Sequence, residues 1–165
     1  MSHIYWFTGQ SGHGKTHNAK FLQKVLISNG YQAIHIDGDD IREIFNNKDY
    51  SETGRRKNIE LAQNIAHFLQ TKKFDVVVSL VSPYKDQRDL FKEKMGNNII
   101  EIYTHTDEVR GRESYEVPDY QPPTENFVDL DTTNRELREN IKIIYEYEQK
   151  QYEQELHSQI GQENI

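Results

Sequence analysis

Apolar residues along this chain fall into two alternating rhythms. Short β-branched and aromatic runs read as strands. Between them lie stretches whose apolar residues recur every third or fourth position, which read as helices. Ile4-Tyr5-Trp6-Phe7-Thr8 opens the series as a strand, and Phe21-Leu22-Val25-Leu26 predicts a helix over 15–29, stopped by Asn29-Gly30. Gln32 to Ile36 forms a second strand that delivers Asp37-Gly38-Asp39-Asp40 at its end. A short helix over 41–45 and a polar loop over 46–53 follow. Ile59, Ala62, Ile65, Ala66 and Leu69 predict an amphipathic helix over 54–72. Phe74 to Val81 is almost continuously apolar, the pattern of a central parallel strand covered on both faces. Residues 84–95 return to helix and stop at Gly96-Asn97. Residues 99–104 form a fourth strand, 107–125 a proline-bearing irregular stretch, and 127–130 a fifth strand. Residues 133–157 form one long helix beginning near Thr133 or Asn134. This alternation predicts an α/β fold, a five-stranded parallel sheet with helices on both faces.

Composition narrows the picture. A chain of 165 residues makes one domain with one core. Its hydrophobic fraction of 35% is low for an enzyme, and the excess polarity sits in the C-terminal third. After Ile144 the chain is rich in Gln, Glu and Tyr, so a domain over 1–147 is followed by a polar helical tail over 148–165. That tail reads as a solvated helix that frays. A formal charge of −7 speaks against a broad basic surface for nucleic acid. Without cysteine there is neither a disulfide framework nor a thiolate zinc site. No basic-apolar leader opens the sequence and no apolar run approaches membrane length, which points away from a membrane and to the cytoplasm.

The chemistry begins with Gly9-Gln10-Ser11-Gly12-His13-Gly14-Lys15-Thr16, between the first strand and the first helix. This is the G-x-x-x-x-G-K-[ST] phosphate loop in the setting it needs. Its glycines let successive backbone N–H groups converge on phosphate oxygens, aided by the positive end of the next helix. Lys15 reaches the β- and γ-phosphates of ATP, and the Thr16 hydroxyl ligates Mg²⁺. The second acidic motif sorts the phosphate-loop machines. A GTPase needs N-K-x-D, and Asn47-Lys48-Asp49-Tyr50 lacks the last aspartate. The most apolar strand runs into Ser79-Leu80-Val81-Ser82 rather than an aspartate, unlike transporter-type ATPases. The carboxylates close the second strand instead, which suits a small-molecule kinase. One of Asp37 and Asp39 holds the metal, directly or through water, and the other takes the proton of an attacking hydroxyl. Arg42, Arg55, Arg56 and Arg88 fall at strand or helix ends expected on one side, ready to gather anionic groups. His13, His17 and His35 show no metal-ligand spacing.

Taken together these motifs resemble the adenylylsulfate kinase (APS kinase) family. Its pattern of W-F-T-G, S-G-x-G-K-[ST], D-G-D-x-x-R, R-x-x-N and S-P-Y with a following arginine is matched by residues 6–9, 11–16, 37–42, 55–58 and 82–88. The resemblance covers about residues 3–145 and implies a P-loop kinase fold. It also implies transfer of the ATP γ-phosphoryl group to the 3′-hydroxyl of adenylylsulfate. By the family pattern Asp39 is the base, Lys15 joins it among the catalytic residues, and Asp37 lies with Thr16 on the metal side. Gly9, Ser11, Gly12, His13, Gly14, Lys15, Thr16 and His17 hold ATP. Arg42, Phe45, Arg55, Asn58, Ser82, Pro83 and Tyr84 join Asp39 around the acceptor.

Three departures stand out. His17 occupies a position usually held by a hydroxyl residue, and His105 replaces an aspartate common at the end of the fourth strand. The family's long basic lid is missing, because Arg110-Gly111-Arg112-Glu113-Ser114 runs almost at once into Tyr115-Glu116-Val117-Pro118. Lids exclude water and select substrates. Arg110 and Arg112 remain to close over the nucleotides, with Tyr115 or Tyr120 offering a stacking face. The alternatives are therefore a related kinase acting on another nucleotide-type acceptor, and a nucleotide-binding module without catalysis. The resemblance also raises a homodimer, for which the sequence offers no readable interface.

Overall fold

The computed structural model describes residues 1–163, with side chains described through Ile160. Five strands form one sheet: β1 (Ile4–Thr8), β2 (Ala33–Asp37), β3 (Asp75–Ser79), β4 (Ile99–His105) and β5 (Val128–Asp131). All neighbours are parallel, in the order β2-β3-β1-β4-β5. Period-two alternation sorts the core. From β1, Ile4 and Trp6 face one layer and Tyr5 and Phe7 the other. The first layer is closed by α2 (Gly38–Ile44), α3 (Glu52–Thr71) and α4 (Lys85–Met95), through Ile41, Ile59, Ala62, Ala66 and Phe91. The second is closed by α1 (Lys15–Ser28) and α5 (Leu137–Glu163), through Ala19, Leu22, Leu26, Ile141 and Ile144. The expected parallel sheet with helices on both faces is therefore present. Trp6 meets Phe91 edge-on at 5.4 Å between centroids, a preferred aromatic geometry.

Several element boundaries differ from the sequence expectation. β3 leaves the sheet after Ser79, because Leu80, Val81 and Ser82 turn away and Ser82 adopts a left-handed φ of 47°. The last helix begins at Leu137 rather than near Thr133 or Asn134. Asn134 has a φ of 47°, incompatible with a helical start, and the Thr132 hydroxyl bonds back to the carbonyls of His13 and His105. The residues before α5 thus form a turn beside the phosphate loop. α5 runs unbroken through residues 147 and 148 to Glu163. Near its middle the Glu148 carboxylate meets His3 and accepts from the buried Tyr5 hydroxyl, so this part of the expected tail packs on the sheet. Asn164 and Ile165, the end of that tail, lie outside the described residues. Among the described residues no helix is long and apolar enough to cross a membrane.

Candidate active site

Backbone geometry builds the phosphate loop first. Gly9 has a φ of 147°, and a Cβ there would stand 2.3 Å from the Thr104 carbonyl oxygen, so only glycine lets the chain leave β1 against β4. Gly14, at φ 89°, caps α1 and turns the loop into the helix. Thr16 follows in the first turn of α1, and its hydroxyl donates to Asp37 Oδ2 at 3.0 Å. Lys15 is 8% exposed, and its ammonium donates to the loop's own Gln10 carbonyl at 2.7 Å. Burial pushes its pKa down to about 8 with help from Arg112, against the pull of Asp37 and Asp39.

The carboxylates come from the neighbouring strand. Asp37 ends β2 and caps α2, accepting the Asp39 N–H at Oδ1 and the Thr16 and Ser79 hydroxyls at Oδ2. Asp39 sits exposed in the first turn of α2. A hydroxyl beside a carboxylate is a hard-oxygen pair suited to Mg²⁺, which keeps its waters and leans on substrate phosphates. The residues present fit that ion. Among the described residues no group of three or more His, Asp or Glu side chains could hold a metal.

A cleft of about 770 Å³ opens between the loop and the helices beyond β2. Ser11, Gly12, Gly14, Lys15, Thr16 and His17 form one wall, with Asp37 and Asp39 below. Arg42 from α2 and Arg55 and Asn58 from α3 line it as well, with Ser82 and Pro83 from the segment after β3. Arg55 lies in the first turns of α3, capped by Ser51, and its guanidinium makes no hydrogen bond or ion pair among the described residues. Arg42 donates to the Asn47 and Asp49 carbonyls and stacks over Tyr50 at 4.1 Å. Asn58 and Ser82 are buried, yet among the described residues Asn58 Oδ1 and Ser82 Oγ have no hydrogen-bond partner. Two such orphaned atoms on one cleft suit a polar ligand.

Other residues singled out in the sequence lie elsewhere. Tyr84 is buried beneath the Arg56 guanidinium and Phe45 is exposed; neither lines the cleft. Gly9 and His13 lie off its lining too. Arg56 pairs with Glu52 and Asp86, and Arg88 is buried against Glu101. The expected cluster of four arginines on one side is thus reduced to Arg42 and Arg55. Arg112 reaches the cleft, whereas Arg110 borders an adjoining hollow of about 720 Å³ with His17, Thr132 and Arg135. Tyr115 lines the cleft. Tyr120 is turned inward, its hydroxyl against Thr8 Oγ1.

Sequence reasoning missed how the short segment after β4 grips the phosphate loop. The Gln10 amide exchanges two hydrogen bonds of 2.8 Å with the Val117 backbone. Arg112 donates to Ser11 Oγ, Arg110 to the Gly12 carbonyl, and His13 faces Glu116 at 3.5 Å. Burial, then Lys15, lower the His13 pKa, while Glu116 opposes them. The long polar side chains at positions 10 and 13 of the loop were the local signal.

A phosphate loop joining the central strand of a 2-3-1-4-5 parallel sheet to its first helix, with carboxylates closing the second strand, defines a P-loop kinase. The chain belongs to the adenylylsulphate kinase family, whose profile matches residues 1–116. An adenylyl-sulfate kinase of Buchnera aphidicola is 33% identical over 105 residues, which cover 62% of this chain and 51% of that protein. The chain thus spans about half the length of that relative. An adenylyl-sulfate kinase of Staphylococcus epidermidis is 29% identical over 166 residues, covering 88% of this chain and 83% of that one. The Mycobacterium tuberculosis APS kinase CysC, solved in complex with AMPPNP and APS, shares the fold. Its TM-score is 0.74 at 24% identity, covering 88% of this chain and 96% of that one.

Proposed function

We propose that this protein transfers the γ-phosphoryl group of ATP to the 3′-hydroxyl of adenylylsulfate. The observation that carries the reading is one cleft with Lys15, Thr16, Asp37 and Asp39 on its donor side and Arg42, Arg55, Asn58 and Ser82 on its acceptor side. The loop amides and Lys15 hold the β- and γ-phosphates. Lys15 gives up its bond to the Gln10 carbonyl to do so, exchanging an internal acceptor for an anionic one. Thr16 and Asp37 would hold Mg²⁺, which supplies charge neutralisation across the phosphates. Arg42 and Arg55 bind the anionic end of the acceptor, and Asn58 Oδ1 and Ser82 Oγ offer it the hydrogen bonds they lack internally. Asp39 takes the proton of the 3′-hydroxyl as its oxygen bonds to the γ-phosphorus. The bond from that phosphorus to the β–γ bridging oxygen breaks, and ADP leaves.

A second reading, another nucleotide-type acceptor, is favoured by the short segment 107–117. It is tied to the phosphate loop through Gln10 and His13 rather than spread over the acceptor side, and its aromatic on the cleft is the exposed Tyr115. The test is a kinase assay of the full chain with Mg·ATP and a panel of nucleotide acceptors. The first reading expects the highest kcat/KM for adenylylsulfate. Equal turnover of other acceptors moves the assignment to the second. Binding of Mg·ATP with no acceptor phosphorylated replaces both by a nucleotide-binding module.

A further inference from the structure

His35, without a role in the site so far, stands behind the carboxylate that faces the metal position. His35 and Asp37 are two apart on β2 and therefore share a face of the sheet. The register pairs Asp37 with Ser79 and His35 with Val77, so Ser79 lies opposite one and diagonal to the other. Ser79 is 2% exposed; its hydroxyl donates to Asp37 Oδ2 at 3.0 Å and meets His35 Nε2 at 2.8 Å. Proton counting orders this chain. A hydroxyl has one hydrogen, and a carboxylate has none to give. With the Ser79 hydrogen committed to Asp37, Ser79 Oγ can only accept from His35, which fixes the imidazole as the Nε2–H tautomer. Asp37 Oδ2 is then held from both sides, by Ser79 within the sheet and by Thr16 from α1, while Oδ1 is pinned by the Asp39 N–H.

We propose that His35 is a positioning residue for phosphoryl transfer, acting through Ser79 to lock Asp37 toward the metal beside Thr16. The inference rests on the assignment of Thr16 and Asp37 to Mg²⁺. Its physical basis is that a carboxylate at a strand end can turn about two side-chain bonds, and a metal tolerates little misplacement of its ligands. Without the His35 donor, the Ser79 hydroxyl loses the contact that fixes its rotamer, and Asp37 loses its fixed neighbour. Such outer partners of metal ligands are worth about 10–100-fold in metal affinity.

The test measures, by calorimetry on the full chain, how much Mg²⁺ is needed for half-maximal binding of AMPPNP. His35→Leu is expected to raise that concentration about tenfold. His35→Gln, whose amide can still donate, is expected to restore most of it. Ser79→Ala should match His35→Leu, and the double variant should cost no more than either. In the metal-free wild type, the ¹⁵N spectrum of the imidazole should show the Nε2–H tautomer. An unchanged magnesium requirement in His35→Leu, additive costs in the double variant, or an Nδ1–H tautomer overturns the proposal. The spectrum decides even if the leucine variant fails to fold. Asp37→Asn separates the two levels. If it leaves the magnesium requirement unchanged, the metal assignment fails and takes the His35 role with it. If it raises the requirement while His35→Leu does not, the His35 role alone fails.

Discussion

Two arginine clusters in this protein use the same side chain in opposite ways. Around Arg88 the charge is closed in. Its guanidinium, 2% exposed, pairs with the equally buried Glu101, donates to the carbonyls of Ser82 and Gln121, and lies against Tyr120. Lys92 completes the cluster from the other side of Glu101. Arg42 and Arg55 line the cleft, and among the described residues neither forms an ion pair with a carboxylate. An arginine whose donors are used internally cannot grip an anionic ligand. Arg55, whose guanidinium donors are unused among the described residues, is placed to do so, and Arg42 spends only one nitrogen, on the Asn47 and Asp49 carbonyls. Arg88 still touches the cleft at one remove, because it donates to the carbonyl of Ser82, which lines it.

The largest effect is expected on the open side. Asp39→Asn should cut kcat by about 10²–10⁴-fold while AMPPNP binding, read by calorimetry, stays within a few-fold. Unchanged turnover would remove Asp39 from the chemistry. On the closed side, Arg88→Met leaves Glu101 short of its main partner and should cost about 3–5 kcal/mol of stability, a fall in Tm of roughly 10 °C by thermal unfolding. A loss of activity at unchanged Tm would place Arg88 among the open arginines instead. Arg55→Met should behave in the reverse manner. The acceptor KM should rise about tenfold, since a charge-assisted hydrogen bond is worth about 1.5–3 kcal/mol, while stability moves by less than about 0.5 kcal/mol.

Lys15 lies between the two cases, buried like Arg88 but bonded only to a carbonyl. Its folded-state pKa, about 8, lies below the ordinary lysine value. Between the two, the unfolded chain carries the extra proton, so stability rises with pH through that window. Urea unfolding of the metal-free protein should show a gain of about 1–2 kcal/mol from about pH 8 to about pH 9.5. Lys15→Met should flatten this slope, and a slope that persists in the variant must come from other groups.

Much of the site was legible before folding because it is written locally. The curl of Gly9 to Thr16 and the carboxylates that close the second strand each depend on residues within a few positions, whereas the caps at Asp37 and Ser51, which start α2 and α3 earlier than 41 and 54, were not read. The arginines were not legible in the same way. Arg56 and Arg88 occupy helix-end positions as suggestive as those of Arg42 and Arg55, and their carboxylate partners include Asp86 on α4 and Glu101 on β4, which no periodicity of their own helices announces. Tyr84 similarly follows Ser82-Pro83 in sequence, yet the left-handed turn at Ser82 sends its ring into the core.

The sequence alone determined the order of strands and helices, the parallel sheet and the identity of the phosphate loop. Period-two and period-3.6 burial and glycine backbone freedom are properties of neighbouring residues. The tertiary structure alone decided which charges are paired and which line the cleft, how Gln10 and His13 hold Val117 and Glu116, and that His35 meets Ser79. Each of these joins residues far apart in the chain, and whether a polar group is satisfied depends on what the completed fold brings within about 3 Å of it.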